Sequence, residues 1–161
     1  YKDAGFRFVS THPMFGPTFG DFNNLQNEHA IIIEESDQQG KSFFQKLFQS
    51  LGLNVHYLSF DRHDQNMAGA LSQPFILSLL FGCNLDRGVQ PGTTYEKHLQ
   101  ITRRLLDEDD TLLTEILLNP FTINQIGKMK KTLDELQCYI QENDDQALLD
   151  FIKTTRSNLK T

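Results

Sequence analysis

The hydrophobic pattern of the chain changes near residue 60, and this change limits the folds that the chain can adopt. Short β-rich runs occur before that point, at residues 6–10, 30–35 and 53–60. Apolar residues at helical spacing separate the second run from the third, and Gly52 follows them as a left-handed helix stop. The order strand, helix, strand predicts a βαβ unit with two parallel strands.

Helical spacing dominates the rest of the chain. A long apolar segment runs from about Asp61 to Gly82, and Pro74 predicts a kink within it. Its most apolar stretch, residues 74–82, is expected to be a buried core or interface helix. Further helices are predicted at 95–106, at 109–119 behind capping aspartates, along an apolar stripe at 123–140, and from about Asp144, where Leu148, Leu149 and Ile152 are expected to be buried.

Two kinds of packing therefore meet near residue 60. The pattern of residues 1–60 predicts an α/β region, and the pattern of residues 61–161 predicts an all-α helical region. Because Tyr1 lies close to the first predicted strand, we expect residues 1–60 to be the last strands of a larger Rossmann-type domain. The apolar surface of the helical region exceeds what about a hundred residues readily hide, so we expect this region to form a homodimer.

Composition argues against several classes of function. The formal net charge is −6 and no long basic run occurs, so nucleic acid is not an expected partner. The apolar stretch at 74–82 is about half as long as a membrane-spanning helix, so no membrane association is expected. Cys83 and Cys138 lack CxxC spacing and no signal peptide opens the chain, which favours free thiols in the cytoplasm. The five histidines lack HExxH spacing, so no metal site is predicted.

The stretch STHPMFGPTFG at residues 10–20 carries the first candidate functional residue. His12 follows a predicted strand, in a loop stiffened by proline and glycine. Open α/β sheets bind ligands at the carboxyl ends of their strands, so His12 is a candidate ligand-binding or catalytic residue. A histidine that only shapes its turn explains the same pattern equally well.

Two further stretches carry candidate residues. In RHDQNMAGA, Asp64 suits a helix N-terminus, while His63 and Asn66 lie three residues apart and share a helix face that could meet a ligand. Arg103 and Arg104 are adjacent on a predicted helix and so about 100° apart around it. At most one of these two arginines can face a buried site.

These stretches, in this order, resemble prephenate dehydrogenase and its arogenate-using relatives, the enzymes of tyrosine biosynthesis. The resemblance rests on STHPMFGPTFG, on HDQNMA about fifty residues later, and on RRLLDEDDTLLTEILLN. It spans most of the chain, and the pair HPMFGP and HDxxMA is specific to the family. The C-terminal helices match only in pattern.

The resemblance implies roles for individual residues. His12 takes the position of the histidine that accepts a hydrogen bond from the ring hydroxyl of the substrate. Arg104, five residues before Asp109, takes the position of the arginine that binds a substrate carboxylate, and Arg103 does not. Thr11, His63 and Asn66 are the further substrate-binding candidates.

Two departures from the family pattern limit what the resemblance implies. Phe75 stands where many relatives have a second substrate-binding histidine. The GxGxxG turn that binds the dinucleotide is absent, so NAD or NADP is expected only for a full-length enzyme, and no tight binding by this chain is expected. No cofactor-binding residue can be named.

The resemblance implies the oxidative decarboxylation of prephenate to 4-hydroxyphenylpyruvate with hydride transfer to NAD(P), and it implies that this chain alone is inactive. Arogenate is the alternative substrate, and no residue decides between the two. A non-catalytic dimerisation or ligand-binding module is the alternative from a different functional class. It fits the helical half and the missing glycine-rich turn equally well.

Overall fold

The computed structural model describes residues 5–16, 24–86 and 88–160 of the chain. Part of the STHPMFGPTFG stretch, residues 17–20, lies outside the described residues. Within these residues, the fold is mostly helical with one three-stranded sheet. The strands are β1 (Thr11–Pro13), β2 (His29–Ile33) and β3 (Asn54–Leu58), and the helices are α1 (Gln38–Ser50), α2 (Phe60–Met67), α3 (Gln73–Cys83), α4 (Thr93–Leu105), α5 (Asp110–Leu117), α6 (Thr122–Gln141) and α7 (Asp145–Asn158).

The sheet has the order β1-β2-β3, and β2 runs parallel to β3 across α1. This arrangement confirms the predicted βαβ unit. The side chain of Asp37 caps the start of α1 by accepting hydrogen bonds from the backbone N–H groups of Gln39 and Gly40. Gly52 follows α1 with a φ of 82°, a left-handed conformation that only glycine adopts without strain, so the predicted helix stop is also confirmed.

The two faces of the sheet carry different hydrophobic clusters. Ala30 and Ile32 pack with Phe48 of α1 on one face, and Ile31 and Ile33 pack with Met67 of α2 on the other. Side chains alternate between the faces along a strand, so each face of β2 has its own helix to cover it. Burying one such isoleucine stabilises the fold by about 1.5–3 kcal/mol.

The first strand lies later in the chain than the sequence pattern predicts. Residues 6–10 form no strand, and β1 instead pairs antiparallel with β2 from Thr11 onward. The carbonyl of Ser10 still accepts from the backbone N–H of Ile33, but the N–H of Ser10 donates to the hydroxyl of Ser36 and not to the neighbouring strand. His12 therefore lies in the middle of β1, opposite Ile31, and not in a loop after a strand.

The predicted long helix is continuous from Phe60 to Cys83. A π-helical section, Ala68–Ser72, joins α2 to α3 directly before Pro74. Proline has no N–H to donate, and the wider turn accommodates the missing hydrogen bond. By length and composition alone this helix is long enough to cross a membrane, and a core helix of a soluble protein has the same properties.

The later helices begin and end close to the predicted positions. Asp109 caps α5 and Asp144 caps α7 through their side chains, as the sequence indicates. The burial predicted for α7 is wrong in part within a single chain, because Leu149 is 51% and Ile152 43% exposed while Leu148 is half-buried. Along α6, the exposed members of the apolar stripe are Ile123 (68%), Leu133 (55%) and Ile140 (57%).

Candidate functional site

A hydrogen-bonded chain of three polar side chains lies between β1 and α2. Nδ1 of His12 lies 3.0 Å from Nε2 of His63. Nδ1 of His63 in turn lies 3.0 Å from a carboxylate oxygen of Asp64. The structure thus joins His12 and His63, two sequence candidates that are far apart along the chain.

The sheet and the helix each contribute one half of this contact. His12 pairs with Ile31 across the strands, so its side chain points to the face that α2 covers. His63 and Met67 are one helical turn apart on α2, and Met67 packs against Ile31 on that face. The apolar contact of Met67 therefore holds His63 against His12.

The carboxylate of Asp64 determines which nitrogens of the two imidazoles carry protons. A carboxylate only accepts hydrogen bonds, so Nδ1 of His63 must donate to it and Nε2 of His63 is left as an acceptor. Nδ1 of His12 then donates to His63. Nε2 of His12 is left with its lone pair available to accept a proton or a hydrogen bond.

His12, His63 and Asp64 open on a cavity of about 250 Å³. We refer to it as the His12 cavity. The cavity is open to one side and is lined by β1, α2 and α5, and Glu115 of α5 adds a second carboxylate. The other residues that line it are Met67, Leu71, Ser72, Leu112, Ile116 and Asn119.

The environment of His12 favours its neutral form. Burial lowers the pKa of His12 below its ordinary value, and the neighbouring His63 lowers this pKa further. A neutral imidazole can accept a proton from a ligand, whereas an imidazolium cannot. The site is therefore suited to general-base chemistry.

Asn119 and Ser72 make supporting contacts that the sequence does not predict. The side-chain amide of Asn119 donates to the backbone carbonyl of Asp64 over 2.9 Å, which ties α2 to the end of α5. The hydroxyl of Ser72 donates to the carbonyl of Ile116 and accepts from the hydroxyl of Thr122. The dipeptide Asn119–Pro120 indicates a turn, but no neighbouring residue in the sequence indicates what the side chain of Asn119 contacts.

The remaining sequence candidates do not line the His12 cavity. Thr11 pairs with Ile32 and so faces the opposite side of the sheet from His12. Asn66 does not share a site with His63, because the 60° between them around α2 directs Asn66 to a different cavity.

The two arginines and Phe75 also lie outside that cavity. Arg104 is exposed in the last turn of α4, and Arg103 lines a third cavity, between α3 and α4. Phe75 is buried in the helix packing, where it makes an apolar contribution only.

The described residues do not fit the pyrophosphate of a dinucleotide. Such a group binds the free N–H groups at a helix N-terminus after a parallel strand, and α1 after β2 is the helix in that position. The carboxylate of Asp37 already accepts from two of those N–H groups, at 3.0 and 3.1 Å, and its negative charge opposes an anion.

Known proteins resemble this chain in sequence. The prephenate dehydrogenase of Lactococcus lactis subsp. cremoris (strain MG1363) is 26% identical over 159 residues, which is 91% of this chain and 43% of that protein. The T-protein of Enterobacter agglomerans is 24% identical over 150 residues, 88% of this chain and 39% of that protein. The chain thus spans about two fifths of these relatives. No family model matches it.

Solved structures resemble the fold. The prephenate dehydrogenase of A. aeolicus, in complex with hydroxyphenyl propionate and NAD+, superposes with a TM-score of 0.76 at 17% identity, over 94% of this chain and 58% of that one. The Synechocystis arogenate dehydrogenase superposes with a TM-score of 0.66 at 18% identity, over 94% of this chain and 60% of that one. Over nearly its whole length, this chain is similar to part of the prephenate and arogenate dehydrogenases.

Proposed function

We propose that this chain supplies the acid–base and substrate-binding part of a prephenate dehydrogenase that acts in tyrosine biosynthesis. The reaction is the oxidative decarboxylation of prephenate to 4-hydroxyphenylpyruvate, and arogenate is the alternative substrate. The hydrogen-bonded chain from His12 through His63 to Asp64, opening on a cavity, is the observation that carries the proposal. We further propose that the sheet is the last part of a Rossmann-type domain, that residues 61–161 form the helical domain, and that the protein is cytoplasmic.

His12 acts as the proton acceptor in this proposal. The ring hydroxyl of the substrate donates to Nε2 of His12, and the proton moves to that nitrogen as the carbon–oxygen bond becomes a carbonyl. Carbon dioxide leaves from the opposite ring position, and its bonding electron pair completes the aromatic ring. The proton then returns to the oxygen, because the product is a phenol. NAD or NADP is the hydride acceptor of the full-length enzyme.

Asp64 and His63 keep His12 ready for this role. They hold the proton of His12 on Nδ1 and leave Nε2 as the acceptor. As Nε2 gains a proton, the carboxylate of Asp64 stabilises the positive charge that develops on His12, acting through the hydrogen bonds of His63. His63 and Asp64 are thus positioning residues in this mechanism, and only His12 meets the reacting hydroxyl.

The carboxylates of the substrate need a cation that the described lining of the His12 cavity does not contain. That lining holds Asp64 and Glu115 but no lysine or arginine. We propose that Arg104 binds a substrate carboxylate, because α4 leads directly into α5, a helix that lines the cavity. The planar guanidinium suits a carboxylate because it donates two parallel hydrogen bonds.

A steady-state assay of the complete gene product tests the proposed function. With NAD or NADP, the absorbance of the reduced cofactor should rise when prephenate or arogenate is added, and release of carbon dioxide should match it one for one. The ratio of kcat/KM for the two substrates identifies the preferred one. Absence of turnover with either substrate would favour a non-catalytic binding module.

The 161-residue chain by itself is expected to bind no dinucleotide with useful affinity and to have no dehydrogenase activity. The reason is that Asp37 occupies the helix N-terminus that follows a parallel strand. Isothermal titration calorimetry with NAD and with NADP measures this directly. Low-micromolar binding of either cofactor would contradict the expectation, and an Asp37→Asn variant would then show whether the α1 N-terminus is responsible.

We expect the protein to be a homodimer formed mainly by the helical part. Ile123, Leu133 and Ile140 lie along α6 with more than half of each side chain exposed, a pattern typical of interfaces. An obligate interface of this kind buries roughly 2,000 Å² or more. Sedimentation velocity at low micromolar concentration should show a dimer, and Leu133→Glu should shift it toward monomer. A monomer at all concentrations would disprove the dimer.

A further inference from the structure

A second pair of histidines lies on the same sheet face as His12, beside another cavity. Nδ1 of His29, at the start of β2, lies 2.9 Å from Nε2 of His56 in β3. The cavity beside them measures about 500 Å³, and none of its lining residues is shared with the His12 cavity. We call it the His29–His56 cavity. It is lined by Met14, His29, Ile31, His56, Leu58, Arg62 and Asn66.

The strand register brings the two imidazoles together. Ile31 pairs with His56 across the parallel strands, and His29 lies two residues before Ile31 on the same face. One imidazole donates to the other, and each keeps a second ring nitrogen: Nε2 of His29 and Nδ1 of His56. These two nitrogens are outside the contact between the rings and can meet a ligand.

The helix α2 adds a cation and an amide to the same cavity. Arg62 and Asn66 are four residues apart and therefore lie on one side of α2. Among the described residues, no carboxylate lies within ion-pair distance of the Arg62 guanidinium. The Arg62 guanidinium makes a long contact instead, 3.5 Å to the side-chain oxygen of Gln65. The nearby carboxylate of Asp61 accepts from Gln65 instead.

These groups favour an anion over a metal ion. A metal would use the two imidazoles, but the positive charge of Arg62 beside them opposes a cation, and no third ligand of the usual kind lies near them in the described part of the chain. An anion accepts hydrogen bonds from Arg62, from Asn66 and from an imidazole N–H. Ile31, Leu58 and Met14 add an apolar wall on which the hydrocarbon part of a ligand can pack.

We propose that the His29–His56 cavity is a second ligand site, which binds a small organic anion, with a carboxylate or phosphate group held by Arg62 and the histidine pair and an apolar body against the sheet. This site is separate from the reaction at His12. It requires neither substrate nor nicotinamide cofactor.

Calorimetric titration of the complete gene product tests this proposal with benzoate, phenyl phosphate and inorganic phosphate as probes. Saturable binding of benzoate or phenyl phosphate is expected, and the stronger of the two identifies the preferred anionic group. Inorganic phosphate should bind more weakly than phenyl phosphate because it lacks the apolar body. Arg62→Gln should weaken the binding about tenfold or more, the scale of a lost charge-assisted hydrogen bond.

Two control variants locate the binding. Arg103→Gln removes a guanidinium from a different cavity and should leave the dissociation constant within about twofold, and His12→Asn should do the same. An unchanged dissociation constant in Arg62→Gln would overturn the proposal. Stoichiometric Zn²⁺ binding that is lost in His29→Gln would also overturn it, because the pair would then be a metal site. Failure of the dehydrogenase assay would not affect any of these outcomes.

Discussion

Under the proposed function, His12→Asn is expected to lower kcat of the complete gene product at least ~100-fold, the usual scale for a positioned acid–base group. Asparagine keeps a polar side chain of similar reach but cannot take up the proton of the substrate hydroxyl. KM should change little, because the hydrogen bond to His12 strengthens mainly as the hydroxyl becomes a carbonyl. Initial rates over a range of substrate concentrations, with saturating cofactor, measure both constants.

A matched variant separates this role from a general effect of losing a histidine. His98 lies on α4, where its ring contacts Phe81, outside the lining of the His12 cavity. His98→Asn should therefore keep kcat within about twofold of the parent enzyme. A near-normal kcat in His12→Asn would mean that His12 only shapes its part of the sheet.

The pH profile gives a second readout of the same mechanism. Burial and the neighbouring His63 lower the pKa of His12, so this residue stays neutral to a lower pH than an ordinary histidine. On the acid side of the profile, kcat/KM should fall only below pH ~6.5, which is the ordinary pKa of a histidine side chain. His63→Gln removes the smaller of the two causes, so its acid limb should move to higher pH. A role of His63 in packing alone would leave the limb unmoved.

The local patterns of the sequence predict the elements well because their causes are local. The βαβ unit follows from two short β-rich runs, from the apolar residues at helical spacing between them and from Gly52, which has a φ of 82° and ends the helix. The starts of α5 and α7 follow from Asp109 and Asp144, whose side chains accept from nearby backbone N–H groups. Such contacts join residues that are close together in the sequence, so the residue types and their spacing are enough to predict them.

The contacts that make the site are long-range, and the sequence does not reveal them. His12 and His63 are each recognisable as candidates, but their contact depends on which face of the sheet α2 covers. The same holds for His29 and His56, which meet through strand register. The shift of β1 has a similar cause, because Ser36 is 26 residues from the Ser10 backbone that it holds.

Apolar periodicity also does not say what covers an apolar face. The stripe along α6 is present as the sequence predicts, but Ile123 is 68% exposed in a single chain. The 3.6-residue period of the apolar residues indicates that one side of the helix is apolar and packs against another surface. It gives the same signal for a core inside the chain and for an interface with a second copy, so it cannot distinguish the two.

Arg104→Ala is expected to raise KM about 100-fold while changing kcat much less. A bidentate hydrogen bond between arginine and a carboxylate is charge-assisted, and hydrogen bonds to charged groups contribute about 1.5–3 kcal/mol, which corresponds to a factor of roughly 10 to 150 in affinity. The carboxylate proposed to bind Arg104 is the one that the product retains, so it takes no part in bond breaking and is held equally in the ground and transition states. Uniform binding of this kind appears in KM and not in kcat.

The adjacent arginine is the matched control for this prediction. Arg103→Ala removes the same charge one position earlier on α4, where the side chain lines the cavity between α3 and α4. Its KM should stay within about twofold of the parent value, because about 100° around the helix separates the two side chains. Arg104→Lys should recover part of the lost affinity, since lysine restores the charge but not the planar fork. If Arg103→Ala raised KM as much as Arg104→Ala, the effect would come from the net charge of the helix end, and Arg104 would not be the carboxylate-binding residue.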